Sequence, residues 1–587
     1  MAILTPRAKR LWGYLRPYWK LELATLLATA ATGVLQLALP AALQYLIDVG
    51  IPEMIAHKGE PGYWHSAVWF GAVVIGVYAI VFFMSWARDY LGARVGSSIV
   101  VDLRAELFER LEYLPLRFYQ KHQVGEILSR MMSDVSRIQD VFANVLVSAL
   151  ANLMFLLAIL SYLLYTNWLL TLLALAPIPL TWYLTHRFGL LMNKVSRQFQ
   201  ETTAELSARV QESLVGVKTI KAFGREQDEL GRMSGILERL KRVIVRFTVT
   251  QSISRTAIMI LSFMGVIVVL SIGSYFIVIG QMTLGRLIAF FFLMAWMMNP
   301  IQILASARVD IQSIMASVDR VFEYLDQPIE IVEAPQSLTL TSPRGEVRFD
   351  RVSFAYDGQG FRLEDFNLKI AAKEKLAIVG PSGGGKSTII NLVMRFYDPQ
   401  SGTVMLDGVD LRQLSFRSLR ACVALVDQDP LLFNTTILEN IAYGKPGATR
   451  DEVIAAAKVA NVHDFISGLP GGYDTVVGER GVTLSGGEKQ RLCLARAVIR
   501  DPAVLILDEA TSALDSISEH LIQDALERIL VNKTAIIVAH RLATVQRADR
   551  IITVKNGAIV DEGTHTELLT RSSIYRELAE KQFVGLS

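Results

Sequence analysis

Residues 380–387 have the sequence Gly-Pro-Ser-Gly-Gly-Gly-Lys-Ser, which fits the pattern G-x-x-x-x-G-K-[ST] between the apolar run Leu376–Val379 and a helical pattern over Thr388–Phe396. In such a strand–loop–helix unit, glycines let backbone N–H groups converge on phosphate oxygens, and the helix N-terminus adds a positive dipole. Lys386 is suited to neutralise phosphate charge, and Ser387 to ligate Mg²⁺. The stretch therefore predicts an α/β P-loop nucleotide-binding domain. The alternative is a glycine-rich turn that binds no nucleotide.

Two further motifs lie downstream of this loop. The apolar strand Val504–Leu507 ends in Asp508, a carboxylate suited to the shell of a Mg²⁺ ion, and the next residue, Glu509, is a candidate general base. Between the loop and this strand, residues 484–490 (Leu-Ser-Gly-Gly-Glu-Lys-Gln) form a small-residue turn that opens the predicted helix Glu488–Ile499. Backbone amides at such a turn can bind an anion, which by itself is a weak signal.

The N-terminal half of the 587-residue chain has a different composition. No Asp, Glu, Lys or Arg occurs from Ala24 to Ile47, and this stretch of about 24 residues is long enough for a helix to cross a hydrocarbon core of about 30 Å. The same test identifies five further spans: Ser66–Ala87, Val141–Tyr165, Trp168–Thr185, Thr256–Gly280 and Leu287–Ala307. With 52% hydrophobic and 20% charged residues overall, the chain is neither disordered nor one ordinary soluble domain.

Basic residues and cysteines indicate on which side of the membrane the two termini and the C-terminal half are expected to lie. Five Lys or Arg residues occur within the first 20 positions, ahead of the first span, so the positive-inside rule places both termini in the cytoplasm. The two cysteines, Cys422 and Cys493, are too few for a disulfide framework and fit a reducing cytosol. The 59 Lys and Arg against 56 Asp and Glu give a net charge of only +3, which does not favour nucleic-acid binding.

Two segments between spans are longer than connecting loops need to be. Arg88–Asp140 and Arg187–Arg255 are rich in helix formers with apolar residues at helical spacing. We expect them to be helices that continue into the cytosol, with turns at Leu116–Gly125 and Gly216–Gly224; two small inserted domains are the alternative.

The predicted fold is therefore a polytopic α-helical membrane domain of six spans with long cytoplasmic extensions, joined to an α/β P-loop domain. We predict a membrane domain over residues 1–325, a Pro-containing linker over 326–343 and a nucleotide-binding domain over 344–587.

The order of the three nucleotide motifs behind six spans resembles the ATP-binding cassette (ABC) transporters, in particular exporter-type half-transporters. The resemblance covers nearly the whole chain. It implies ATP and Mg²⁺ as cofactors, ATP hydrolysis coupled to transport, and a multi-pass protein suited to a bacterial plasma membrane. In this family, ATP lies between the phosphate loop of one nucleotide-binding domain and the signature motif of another, so one copy of each motif per chain implies a dimer.

The resemblance also implies roles for individual residues. Tyr356 corresponds to the aromatic that stacks on adenine, Gln428 to the Q-loop glutamine, and His540 to the switch histidine that contacts the γ-phosphate. Taken alone, Tyr356 could be a core aromatic and His540 a structural residue. The implied nucleotide contacts are Tyr356, Gly380, Ser382, Gly383, Gly384, Gly385, Lys386, Ser387, Thr388 and Asp508, the signature residues Ser485, Gly486, Gly487 and Glu488, and Asp515 of the D-loop.

The implied catalytic residues are Glu509, His540 and Gln428, and the implied Mg²⁺ ligands are Ser387, Gln428 and, through water, Asp508. Asp427 departs from the family pattern, in which proline is common. The mechanism implied is alternating access driven by nucleotide-dependent closure of a homodimer, with a heterodimer left open. A nucleotide-gated channel or regulator on the same architecture is the competing hypothesis for function.

The cargo is not identified by the sequence, and drugs, lipids and lipid-linked glycans all remain open. Four arginines (Arg88, Arg187, Arg255 and Arg308) lie at the predicted inner ends of spans. If they face a cavity, with Asn152 about mid-membrane and Trp296 on the sixth span, they would favour an anionic amphiphile. The alternative is that they only set the topology of the chain.

Overall fold

The computed structural model describes residues 6–583 except 61, 63, 141–144, 357–361, 479–483, 509–515 and 540–544. The chain forms two compact units. The first comprises Met1–Glu112 and Gln123–Gln327, and the second comprises Tyr113–His122 and Pro328–Ser587. Ten residues between the second and third spans, Tyr113–His122, thus belong to the second unit. The domain boundaries predicted at residues 325 and 343 divide the chain by sequence position alone, and they remain predictions.

The first unit is helical, and six of its helical stretches are long and apolar enough to cross a membrane. They are Gly13–Ala56, Ala67–Tyr113, Val147–Thr166, Trp168–Val215, Glu226–Val278 and Leu284–Leu325. The helices are α1 Pro6–Leu15, α2 Trp19–Gln36, α3 Ala38–Tyr45, α4 Ile51–Ala56, α5 His65–Tyr113, α6 Leu116–Lys121, α7 Val124–Ser129, α8 Val135–Asp140, α9 Leu146–Thr166, α10 Trp168–Leu175, α11 Ile178–Val215, α12 Val217–Ala222, α13 Glu226–Val278 and α14 Leu284–Leu325. The prediction of six spans is confirmed.

Long continuous helices account for the predicted extensions beyond the spans. Helix α5 has 49 residues and α13 has 53, so each extends for more than about 70 Å at 1.5 Å per residue, roughly twice the thickness of a hydrocarbon core. The described residues of both extensions contain helices and no strands, which favours continuing helices over inserted domains. At the two predicted turns the structure has the short helices α6 and α12.

Polar contacts fix the packing of α14 in the first unit. Asp48, in a π-helical turn over Leu46–Gly50, accepts hydrogen bonds from Thr283 Oγ1 (2.6 Å) and from the backbone N–H of Gly285 (2.9 Å) at the start of α14. Asp134, in a second π-helical turn, accepts two hydrogen bonds from the Arg320 guanidinium at 2.9 and 2.5 Å. Burial opposes ionisation of Asp134, but hydrogen bonds from Arg320 and Ser317 outweigh it and hold the pKa of the carboxyl below its usual value.

The second unit contains two sheets. A six-stranded sheet has the order β10-β9-β3-β8-β7-β6, and a four-stranded antiparallel sheet has the order β2-β1-β4-β5. The strands are β1 Val347–Ala355, β2 Arg362–Ile370, β3 Lys375–Val379, β4 Ser401–Leu406, β5 Val409–Asp410, β6 Val423–Val426, β7 Val504–Asp508, β8 Thr534–Val538, β9 Arg550–Lys555 and β10 Ala558–Gly563. The helices are α15 Lys386–Val393, α16 Phe416–Cys422, α17 Ile437–Ala442, α18 Arg450–Val459, α19 His463–Ser467, α20 Gly486–Val498, α21 Ser516–Ile529, α22 His565–Arg571 and α23 Ser573–Phe583.

Parallel pairing brings the carboxyl ends of five strands to one edge of the larger sheet. Strands β9, β3, β8, β7 and β6 pair in parallel, so their carboxyl ends meet at the same edge, where open α/β sheets bind ligands. The buried runs of β3, β7 and β8 match the apolar patterns in the sequence. Helix α15 ends at Val393, earlier than the predicted Phe396, because Arg395 adopts φ +48° and a left-handed residue cannot continue a helix.

Candidate nucleotide site

The phosphate loop is held against strand β9. Gly385 precedes α15 with φ +114°, a conformation that strongly favours glycine. A Cβ atom on Gly384 would lie 2.8 Å from the carbonyl oxygen of Val554, and one on Gly380 would lie 2.1 Å from the same oxygen. The Gly384 carbonyl in turn accepts a hydrogen bond from the Gly557 N–H at 3.0 Å. Neither Gly380 nor Gly384 can therefore carry a side chain without moving β9.

Lys386 bridges the two ends of this loop. Its Nζ donates to the carbonyl oxygens of Gly380 (2.7 Å) and Pro381 (3.1 Å), and the residue is buried. A buried ammonium group is costly unless it has acceptors of this kind. These two hydrogen bonds hold the Lys386 ammonium group at the loop.

Most of the predicted nucleotide contacts line one cavity of about 430 Å³. It is lined by Tyr356, Ser382, Gly383, Gly384, Gly385, Lys386, Ser387, Thr388, Gln428, Asp508 and Val538. The cavity therefore combines an aromatic side chain, the phosphate loop, an amide and a carboxylate from four separate parts of the second unit. Gly380, the first residue of the loop, does not line the cavity and packs against Val554 of β9. Glu509, Asp515 and His540 lie outside the described residues.

The Tyr356 side chain is held in place by its neighbours. Its hydroxyl accepts a hydrogen bond from Asn391 Nδ2 at 3.1 Å, and its ring makes edge-to-face contacts with Phe354 and Tyr397, with centroids 4.9 and 5.2 Å apart. Asn391 belongs to α15, the helix that follows the phosphate loop. The position of the aromatic at the end of β1 is thus tied to the helix that carries Lys386.

The loop after β6 shows how the chain accommodates Asp427. The side-chain carboxylate of Asp427 accepts a hydrogen bond from the backbone N–H of Gln428 at 2.8 Å. The backbone carbonyl oxygen of Asp427 accepts a second hydrogen bond, from Gln490 Nε2, at 3.4 Å. The side chain of Asp427 therefore stabilises the turn that presents Gln428 to the cavity. The sequence marks Asp427 only as a departure from the family pattern and does not indicate this role.

The signature turn forms a separate structure at the start of α20. Ser485 and Glu488 form a capping box, in which Ser485 Oγ accepts from the Glu488 N–H (3.4 Å) and the Glu488 carboxylate accepts from the Ser485 N–H (2.7 Å). A Cβ atom on Gly487 would lie 2.5 Å from the side chain of Ser518. In this structure Glu488 thus caps the helix, and none of residues 485–488 lines the cavity that contains Lys386.

Sequence reasoning missed a second cavity beside Tyr356. It has a volume of about 380 Å³ and is lined by Arg117, Gln120, Lys121, Glu330, Ile331, Phe354, Ala355, Tyr356, Tyr397, Asp398 and Gln400. Tyr397 donates a hydrogen bond to Gln120 Oε1 at 3.3 Å. Burial and the neighbouring Tyr356 raise the pKa of the Tyr397 hydroxyl above its usual value. The only sequence signal was the aromatic pair Phe396-Tyr397, which does not distinguish a contact residue from a core residue.

The fold and the cavity together define a polytopic membrane protein with a P-loop nucleotide-binding domain on the same chain. Residues 23–301 match the family model for the ABC transporter transmembrane region, and residues 363–512 match the model for the ABC transporter domain. The chain belongs to the ABC transporters, as the resemblance of its motifs predicted.

Similar proteins cover almost the whole chain. YgaD of Bacillus subtilis (strain 168), a candidate multidrug export ATP-binding/permease protein, is 36% identical over 575 residues, which cover 97% of this chain and 98% of YgaD. The ATP-dependent lipid A-core flippase of Burkholderia pseudomallei (strain 1710b) is 35% identical over 579 residues, 98% of this chain and 95% of the flippase. A solved bacterial Atm1-family ABC exporter with ATP bound has a TM-score of 0.76 and 31% identity, covering 97% of this chain and 98% of the exporter.

The predictions for fold class, transport and enzymatic activity are thereby confirmed. The chain is an integral multi-pass membrane protein of exporter architecture that binds nucleotide and couples ATP hydrolysis to transport. As a half-transporter it requires a second half to assemble a complete transporter.

Proposed function

We propose that the chain is a homodimeric, ATP-driven exporter or flippase of amphiphilic molecules, either drug-like or lipid-like, in a bacterial plasma membrane. Its termini and nucleotide-binding domain lie in the cytoplasm. The names of the relatives support this range of cargo, since one refers to multidrug export and another to a lipid flippase. The basic N-terminal segment supports the orientation.

One observation carries the proposal of a dimer. The cavity of about 430 Å³ collects Tyr356, the phosphate loop, Gln428 and Asp508, whereas the signature turn at Ser485 does not line it. The contacts on the phosphate-loop side of the ATP are therefore grouped in one cavity, and the signature residues are presented by a separate helix N-terminus. A second copy of this chain would supply Ser485, Gly486 and Gly487 to the first site and receive the same residues in return.

The residues of the cavity fit Mg²⁺ and ATP. Ser387, Gln428 and Asp508 provide a hydroxyl, a carboxamide and a carboxylate, which are the hard oxygen ligands that Mg²⁺ prefers. The described residues contain no cluster of three or more His, Cys, Asp or Glu that could hold a metal ion by itself, so phosphate oxygens and water would complete the shell. The bound ion would neutralise charge on the phosphates.

In the proposed mechanism, residues of this chain bind ATP, orient water and transmit closure. Lys386 turns from the loop carbonyls to the phosphates, and Tyr356 supports the adenine. Glu509 accepts a proton from the attacking water, and His540 and Gln428 hold the γ-phosphate and the water in position. Joining of the two nucleotide-binding domains turns the membrane cavity outward, and hydrolysis resets it.

The experiment that tests this proposal is Glu509→Gln in the purified chain, reconstituted without any other polypeptide. The variant keeps the shape of the side chain but cannot accept the proton, so we expect ATP binding to persist and hydrolysis to fall at least about 100-fold. Steady-state ATPase activity and dimer closure by cross-linking are the measurements. Lys386→Ala is the matched control, because it should lose ATP binding as well.

Several outcomes would contradict the proposal. Near-normal hydrolysis by Glu509→Gln would remove the role of that residue. Wild-type protein that is inactive until a second polypeptide is added would indicate a heterodimer. An ATP-dependent ionic current without cargo-stimulated hydrolysis would support the competing hypothesis of a nucleotide-gated channel.

A further inference from the structure

A cavity in the membrane unit has a volume of about 660 Å³ and lies between four spans. Its lining includes Gln36 of α2, Arg88 and Asp89 of α5, Asn152 of α9 and Asn299 of α14. A volume of this size falls in the range of sites for small molecules, about 300–1,000 Å³. The cavity is therefore large enough to hold the polar part of an amphiphile.

The charged residues of this cavity form a pair of opposite sign. Arg88 Nε donates to Asp89 Oδ1 at 2.9 Å, and Arg88 Nη2 lies 2.8 Å from the same oxygen. Arg88 is the only member of the predicted basic belt among the described lining residues; Arg187 and Arg255 are exposed elsewhere. An anionic cargo would gain the Arg88 guanidinium but would also be repelled by the adjacent Asp89 carboxylate.

Neutral polar groups complete the lining. Within the described part of the chain, the carboxamides of Gln36 and Asn299 make no hydrogen bond, while Asn152 donates to the Ser148 carbonyl oxygen at 2.7 Å. Carboxamides both donate and accept, so they fit polar groups of either kind. The rings of Tyr78, Phe155 and Trp296 also line the cavity, and aromatic faces attract organic cations.

We propose that this cavity selects amphiphiles with a zwitterionic head group, whose anionic part pairs with Arg88 and whose cationic part pairs with Asp89. A zwitterion can pair with Arg88 and Asp89 at the same time, so that each protein charge faces an opposite charge on the ligand. A singly charged ion attracts one of the two side chains and is repelled by the other. This inference rests on the proposed transport function and narrows its cargo. It replaces the hypothesis of an anionic amphiphile drawn from the arginines alone.

The test compares three radiolabelled amphiphiles with the same alkyl chain, each below its critical micelle concentration. They are dodecylphosphocholine, dodecyl sulfate and dodecyltrimethylammonium. Binding is measured without ATP to the full-length protein in nanodiscs of an uncharged glycolipid, so that no charged lipid competes. We expect the zwitterionic probe to bind wild type about tenfold more tightly than either ion, a factor that corresponds to 1.4 kcal/mol.

Removing either charge should shift the preference among the three probes, and the two variants should shift it in opposite directions. Arg88→Gln should move the preference toward the cationic probe, and Asp89→Asn toward the anionic probe, each by about tenfold. The exchanged pair Arg88→Asp with Asp89→Arg retains both charges and should keep the preference for the zwitterion. Thermal unfolding of each variant, measured in parallel, identifies loss of binding through misfolding. Because all these measurements omit ATP, they stand even if the protein does not transport.

Three results would overturn the inference. They are equal or tighter binding of the anionic probe to wild type, a shift in the same direction for Arg88→Gln and Asp89→Asn, and no binding of the zwitterionic probe. A further arm separates two sources of the same head group. Outward movement of a labelled two-chain phosphatidylcholine in proteoliposomes, blocked by Glu509→Gln, indicates a membrane lipid, whereas stimulation of hydrolysis by the single-chain probe alone indicates a soluble amphiphile.

Discussion

The two short helices α6 and α12, at the two predicted turns, have equivalent positions in the sequence pattern but different environments. Helix α6 groups with the nucleotide-binding unit and buries Phe118, which is 6% exposed. None of the six residues of α12 is buried, and the adjoining Phe223 is 75% exposed. One turn is thus partnered within its own chain, and the other presents apolar side chains to its surroundings.

This difference indicates which of the two turns is the candidate for burial against a second chain. Leu214, Val215, Val217 and Phe223 are all exposed around α12, and clustered exposed apolar side chains mark sites of association. Burying a phenylalanine is favourable by about 1.5–3 kcal/mol. Since a half-transporter needs a second half, we expect the second copy of this chain to cover α12, while α6 contacts the nucleotide-binding unit of its own chain.

Among changes at these two turns, we expect Phe223→Asp to have the largest effect. The change places a charge in the apolar patch, so we expect cargo-stimulated transport to fall at least about tenfold, through loss of 1.4 kcal/mol or more of contact energy. ATP binding by the phosphate loop, which lies on another part of the chain, should be retained. Transport and nucleotide binding are measured on the same proteoliposomes. Phe223→Leu is the matched control and should transport nearly as well as wild type; unchanged transport by Phe223→Asp would mean that α12 is not covered in the working dimer.

The same two helices show what the sequence could and could not predict. Both turns followed from helical periodicity interrupted near Leu116–Gly125 and Gly216–Gly224, and the phosphate loop followed from residues that are consecutive in the chain. The particular contact that α6 makes did not follow, because it joins Gln120 and Tyr397, which are 277 positions apart. Asp427 illustrates the same limit, since its carboxylate caps a turn in a way that composition does not reveal.

A smaller effect is expected from Tyr397→Phe, which tests the partnered turn. The change removes the hydroxyl that donates to Gln120 Oε1 while keeping the ring that contacts Tyr356. A hydrogen bond contributes about 1 kcal/mol, so we expect the coupling of transport to ATP hydrolysis to weaken by no more than about fivefold, with little change in the affinity for ATP. The ratio of cargo moved to ATP hydrolysed is the measurement.

A double-mutant cycle assigns the effect of Tyr397→Phe to the contact itself. Gln120→Ala alone should resemble Tyr397→Phe, and the two together should cost no more than one of them, since they remove the same hydrogen bond. Additive effects would show that Tyr397 acts through its ring contact with Tyr356 and not through α6.

The smallest effect is expected from the ion pair between Arg117 and Glu330, which also lies on the α6 side of the comparison. Both side chains are partly exposed, at 38% and 28%, and exposed ion pairs stabilise proteins by only about 0.2–1 kcal/mol and are weakened by salt. We therefore expect Arg117→Gln to lower transport by less than about fivefold at low ionic strength, and by less still in high salt. Glu330→Gln should behave alike, because either change removes the same attraction. A loss as large as that of Phe223→Asp, and independent of salt, would contradict this assignment, because it would mean that α6 depends on charge and not on the burial of Phe118.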